Sequence, residues 1–192
     1  MMELSCSSTE GVAGGGDDSP TVRTPIPVDC GCEPELKQNE TPPSHVDNGT
    51  DLTYDGVPPV SGEHWAQWPD IVKTLYTAPE RPELAQLVHS SEHGWTFVWY
   101  DEAVAADGNA LAQLQDSADD LDLDEKVAIV PWTSDDGDAF PDGTHLAFTH
   151  WSGTPSAGGI EWRQFCAGVD ADVLAGFVER HPFTDAHEPD GP

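Results

Sequence analysis

The stretch "VHSSEHG", residues 88 to 94, sets two histidines four positions apart with a glutamate beside the second. That spacing puts His89 and His93 on one face of a helix, and equally on one face of a strand, so the two imidazoles converge whichever backbone carries them. Convergence is what a metal requires, because neutral imidazole is the commonest nitrogen donor and three or four ligands must point into one volume. A third histidine, His64, lies in the irregular segment "PPVSGEHW" that can reach across to complete a site, and His45 in "SHV" is a further candidate ligand. The expected centre is therefore His64, His89 and His93 with His45 in reserve. Copper and zinc are the leading ions, since imidazole-rich donor sets suit both.

The same residues spell H-x-x-E-H, from His89 to His93 with Glu92 between, the pattern of inverted zincins, in which the glutamate polarises a zinc-bound water. On this reading Glu92 is a general base and the protein a zinc hydrolase. Peptidases of that kind carry the motif inside a long helix and take a further acidic ligand from another helix, whereas here Gly94 and a strand-like run follow at once. Hydrolysis is thus the third reading. The second is a metal-free interaction module, in which Trp65, Trp68, Trp95 and Trp99 supply an aromatic surface or core and the histidines bond backbone carbonyls around a turn. No Gly-rich phosphate loop, G-x-S-x-G elbow or C-x-x-C pair is present, and no nucleotide cofactor is expected.

The elements that must hold these residues are legible after residue 50. "WTFVWY" (95 to 100) alternates like a strand packed on both faces, and "KVAIVPW" (126 to 132) and "THLAFTHW" (144 to 151) read as two more. "NALAQLQDSADDL" (109 to 121) has helical spacing, as does "DADVLAGFVERH" (170 to 181), which opens on an acidic N-cap. The fold expected is α+β: a small sheet of about three or more strands with two packed helices, in one domain covering 41 to 190. The ending "PFTDAHEPDGP" reads as a polar tail. No Trp, Phe or Tyr precedes Tyr54, and "GVAGGGDDSP" combines Gly, Asp and Pro, so residues 1 to 40 read as an acidic, Gly/Pro-rich, disordered linker.

Asp and Glu number 36 against 7 Lys and Arg, a formal charge of -29, which excludes nucleic acid as an expected partner. The seven tryptophans argue for a folded core beneath that charge, so an acid-coated halophilic surface reconciles the two. Four cysteines, at 6, 30, 32 and 166, are too few for a disulfide framework. In an oxidising compartment one of Cys30 or Cys32 can still tie the tail to Cys166. A soft-metal role for the C-x-C pair in "DCGC" is the alternative. "LSCSSTEGVAGGG" is similar to a lipoprotein junction with Cys6 as the lipidated residue, although no basic and apolar signal region precedes it. A membrane is expected only through such an N-terminal anchor.

"YDGVPPVSGEHW", "LVHSSEHGWTFVWY" and "FTHWSG", followed by a last helix and "HEP", resemble the domain-of-unknown-function family 3105 over about residues 45 to 190. His45, His64, His89, Glu92, His93 and Gly94 match that family's motif positions; His150 does not. The resemblance implies an extracytoplasmic domain tethered by an N-terminal membrane segment, with no established activity.

Overall fold

The computed structural model describes residues 31–119, 125–154 and 156–191. Strand β4 (Thr96–Tyr100) is buried along its whole length, as its unbroken run of bulky residues requires. On one side it pairs in parallel with β5 (Val127–Pro131), on the other antiparallel with β6 (Leu146–Thr154). β6 continues into the hairpin partner β7 (Gly158–Cys166), and β1 (Leu36–Asn39) closes the sheet in the order β1-β7-β6-β4-β5. A second, two-stranded sheet pairs β2 (Ser44–Val46) with β3 (Glu63–Trp65) in parallel.

Alternation along β4 divides the core. Val98 and Tyr100 face Leu114, Leu174 and Phe177 from the helices α3 (Gly108–Asp119) and α4 (Ala171–Arg180). Phe97 and Trp99 face a second cluster with Trp95, Trp132, Phe140 and Phe165. Asp170 caps α4 by accepting from the Val173 N–H at 3.0 Å, in the N-cap role its sequence position predicts. α1 (Leu84–Glu92) and the short α2 (Glu102–Ala106) complete the helices.

The α+β class holds, with more in it than expected: among the described residues the main sheet has five strands and the helices number four. β7 escapes its sequence because Glu161, Arg163 and Gln164 interrupt the apolar pattern. All three are buried and engaged: Glu161 accepts from Ser61 Oγ at 2.5 Å, Arg163 donates to the Pro58 carbonyl at 2.9 Å, and Gln164 donates to the Glu33 carbonyl at 3.0 Å.

The linker expected to run to residue 40 gives way earlier. Leu36–Asn39 forms the edge strand against β7, and Cys32 is disulfide-bonded to Cys166 across 134 positions of sequence. Cys6, Cys30 and the glycine-rich run lie outside the described residues. The C-terminal segment is equally integral. Lys126 Nζ donates to the carbonyls of His93 (2.9 Å), Pro189 (3.0 Å) and Gly191 (2.6 Å), fastening the end of the chain to the end of α1. Among the described residues no helix is long and apolar enough to cross a membrane.

Candidate metal centre

α1 delivers two of the relevant side chains. Its first turn is closed by Gln86, whose Oε1 accepts from the Glu83 N–H at 3.3 Å, and its C-terminal half is buried on every side from Leu87 to Glu92. Polar residues tolerate that burial because Ser90 and Ser91 donate back to the carbonyls of Gln86 and Leu87, at 3.3 and 3.2 Å. The helix stops at Gly94, whose φ of 90° only glycine adopts readily. The N–H groups of Gly94 and Trp95 return to the carbonyls of Ser91 and Ser90, a Schellman closure. A Cβ at Gly94 would collide with the Phe183 carbonyl, so this tight ending also admits the C-terminal segment.

The other two side chains come from the small sheet. Its parallel register places His45 directly beside His64. The segment leading into β3 is anchored by Val60, packed with Val88 and Trp151, and by Ser61, which accepts from the Thr41 N–H at 2.8 Å and donates to Glu161.

His45, His64, His89 and Glu92 thus meet, each offering one ligand atom, and all four atoms lie within 4.8 Å of one another. His64 Nε2 is 3.2 Å from Glu92 Oε2, His45 Nε2 is 3.8 Å from the same oxygen, and His45 Nε2 is 3.4 Å from His89 Nε2. His64, His89 and Glu92 are buried, while the His45 side chain is 51% exposed.

Tautomers follow from the neighbours. His64 Nδ1–H donates to the Gly62 carbonyl at 2.9 Å, and His89 Nδ1–H donates to the Trp65 carbonyl at 2.6 Å. A carbonyl can only accept, so in the neutral rings both Nε2 atoms carry lone pairs into the shared gap. Backbone acceptors behind the ring are the usual device for orienting metal-binding histidines.

Burial drives the His89 imidazole down to about 4; the Trp65 carbonyl opposes this, while the charges of His64, His93 and His45 add to it. Burial pushes the Glu92 carboxyl up, but hydrogen bonding and charge from His64, with the charges of His45 and His89, more than reverse this and hold it below the ordinary range. At neutral pH the centre therefore sets the Glu92 carboxylate beside a neutral His89.

Two sequence expectations change in detail. His93 caps α1 and does not join the four-residue group. Its ring stacks on His89 at 5.0 Å, its Nδ1–H donates to the Glu188 carbonyl at 3.0 Å, and the exposed Trp68 stands edge-on over both rings. Glu92, weighed as a general base, stands among the donor atoms themselves. The four tryptophans of the interaction-module reading separate: Trp95 and Trp99 are core, Trp68 stands over His89 and His93, and the Trp65 indole donates to the Thr50 carbonyl.

The remaining four histidines are spoken for. His145 pairs with Asp101 at 2.7 Å, His150 with Asp185 at 2.9 Å, His181 with Glu35 at 3.0 Å and His187 with Glu40 at 2.7 Å. In the central group the chemistry differs. Four buried side-chain atoms among the described residues lack a hydrogen-bond partner, and three of them, His64 Nε2, Glu92 Oε2 and His93 Nε2, sit in or beside it.

Comparison with curated proteins and with solved structures finds no match. The family described as "Protein of unknown function (DUF3105)" matches residues 45–191, a span that holds all four members of the histidine and glutamate group; the chain belongs to this family.

Proposed function

We propose that this is an extracytoplasmic metal-binding domain that holds one transition-metal ion, copper or zinc, through His45, His64, His89 and Glu92. The observation that carries the reading is the convergence of acceptor atoms, of which His64 Nε2 and Glu92 Oε2 are buried without a hydrogen-bond partner. In their neutral forms His64 and His89 have spent their only N–H on backbone carbonyls; His89 Nε2 then faces His45, while His64 Nε2 and the Glu92 oxygen are left as acceptors. Orphaned acceptors inside a protein are costly, on the order of 1–3 kcal/mol each, and a cation among them removes the cost. Three imidazoles and one carboxylate form a tetrahedral-type donor set suited to zinc and accepted by copper.

The Cys32–Cys166 disulfide supports an oxidising compartment, where such bonds form and persist. Attachment to a membrane through a segment upstream of the domain belongs to the same reading.

A metal-free module is the second reading, and the His64–Glu92 contact at 3.2 Å favours it: a proton on His64 Nε2 makes an imidazolium–carboxylate pair without any metal. Metal analysis of protein purified without a polyhistidine tag, before and after reconstitution with copper or zinc, separates the two. One equivalent in the wild type, lost in His64→Ala and His89→Ala, is the expected result. A wild type that takes up neither ion overturns it.

A further inference from the structure

The four candidate ligands are not held alike. His64 and His89 are buried and each is pinned from behind by a carbonyl, and Glu92 sits on the enclosed last turn of α1. His45 is half-exposed, and no described residue bonds its Nδ1. Its strand, β2, is three residues long and pairs only with β3. Pinning an imidazole from behind is worth roughly 10–100-fold in metal affinity, so the unpinned ligand is the one that leaves first.

Access points the same way. Trp68 shields His89 and His93, and Trp151 stands against His64, its ring centre 6.4 Å away. The open side of the group is the His45 side, since the other three members are buried.

Building on the metal-binding reading above, we propose that the centre exchanges its ion through the His45 face, as a transfer site rather than a permanent structural one. An incoming nitrogen donor binds the ion beside His45, the coordination number rises by one as such ions allow, and His45 turns out into solvent. His64, His89 and Glu92 keep their places until the acceptor has supplied enough donors to take the ion. Loading is the same path reversed.

The test follows zinc passing from the loaded full chain to the neutral chelator terpyridine at several chelator concentrations. In the wild type the transfer rate should rise in proportion to chelator. His45→Ala should fold as the wild type does, still load one equivalent, and release it roughly tenfold or more faster. A wild-type rate independent of chelator would overturn the transfer role, as would a folded His45→Ala that loads no zinc or releases it as slowly as the wild type. These outcomes leave the metal site itself standing. Wild-type protein that binds no zinc or copper removes both proposals together.

Discussion

His45 Nε2 and His89 Nε2 face each other at 3.4 Å, while His89 has already given its Nδ1–H to the Trp65 carbonyl. The gap between the two nitrogens therefore holds a proton supplied by His45 or a metal ion. A second proton is costly there, because His89 is buried and the imidazoles of His64, His93 and His45 oppose its charge.

The pH dependence follows chiefly from the burial of His89. His89 titrates at about 4 in the fold against an ordinary 6.5, so the unfolded chain binds more protons between those values. Its contribution to stability is complete above 6.5 and is lost as pH falls toward 4. Glu92, held below its ordinary 4.5, contributes in the same direction at lower pH. Melting temperatures of metal-free protein should fall across this range, and His89→Gln should flatten the upper part of the fall. A wild-type curve level from 6.5 to 4 would contradict the assignment of a neutral His89.

Lys126 is the fastening of the C-terminal segment, with three carbonyls on one ammonium group and a φ of 53° at its own backbone. Lys126→Gly removes the side chain while relaxing the backbone, so the lost bonds are measured without added strain. The expected cost is about 1–3 kcal/mol in chemical denaturation, with new protease cleavage after residue 182. Unchanged protection of the segment would mean that Phe183 against Gly94 suffices to hold it.

The disulfide closes a very long loop. Cys32→Ser with Cys166→Ser should cost about 2–5 kcal/mol, chiefly by freeing the unfolded chain, and should expose β1 to exchange before the rest of the sheet. Hydrogen exchange resolved by segment tests this: β1 protected as well as β6 would show that pairing with β7 alone secures the edge.

The charge of -29 can be tested for its effect on the fold by varying ionic strength. If the acidic coat is halophilic, screening should raise the melting temperature steadily with added salt, most steeply below about 0.1 M where the Debye length exceeds about 10 Å. A salt-indifferent melting curve would mark an ordinary acidic protein.

Much of the framework follows from local sequence. The alternation of "WTFVWY" identifies a strand buried on both faces, because each face meets its own core cluster. Asp170 announces α4 because capping depends on residues within one turn. His64 and His89 are legible as candidate ligands from type and spacing, and both enter the central group. His93 does not: its ring stacks on His89 as four-residue spacing predicts, but its Nδ1–H is turned to the Glu188 carbonyl of the C-terminal segment. β7 is hidden by polar residues that are satisfied only by distant partners, Ser61, Pro58 and Glu33. The place of His45 depends on three residues of parallel pairing, too short to leave a periodic signal. Least visible of all are the carbonyls of Gly62 and Trp65, which set the tautomers of His64 and His89. Every residue carries such a group, so only the tertiary structure decides which of them stands behind an imidazole and turns its lone pair toward the site.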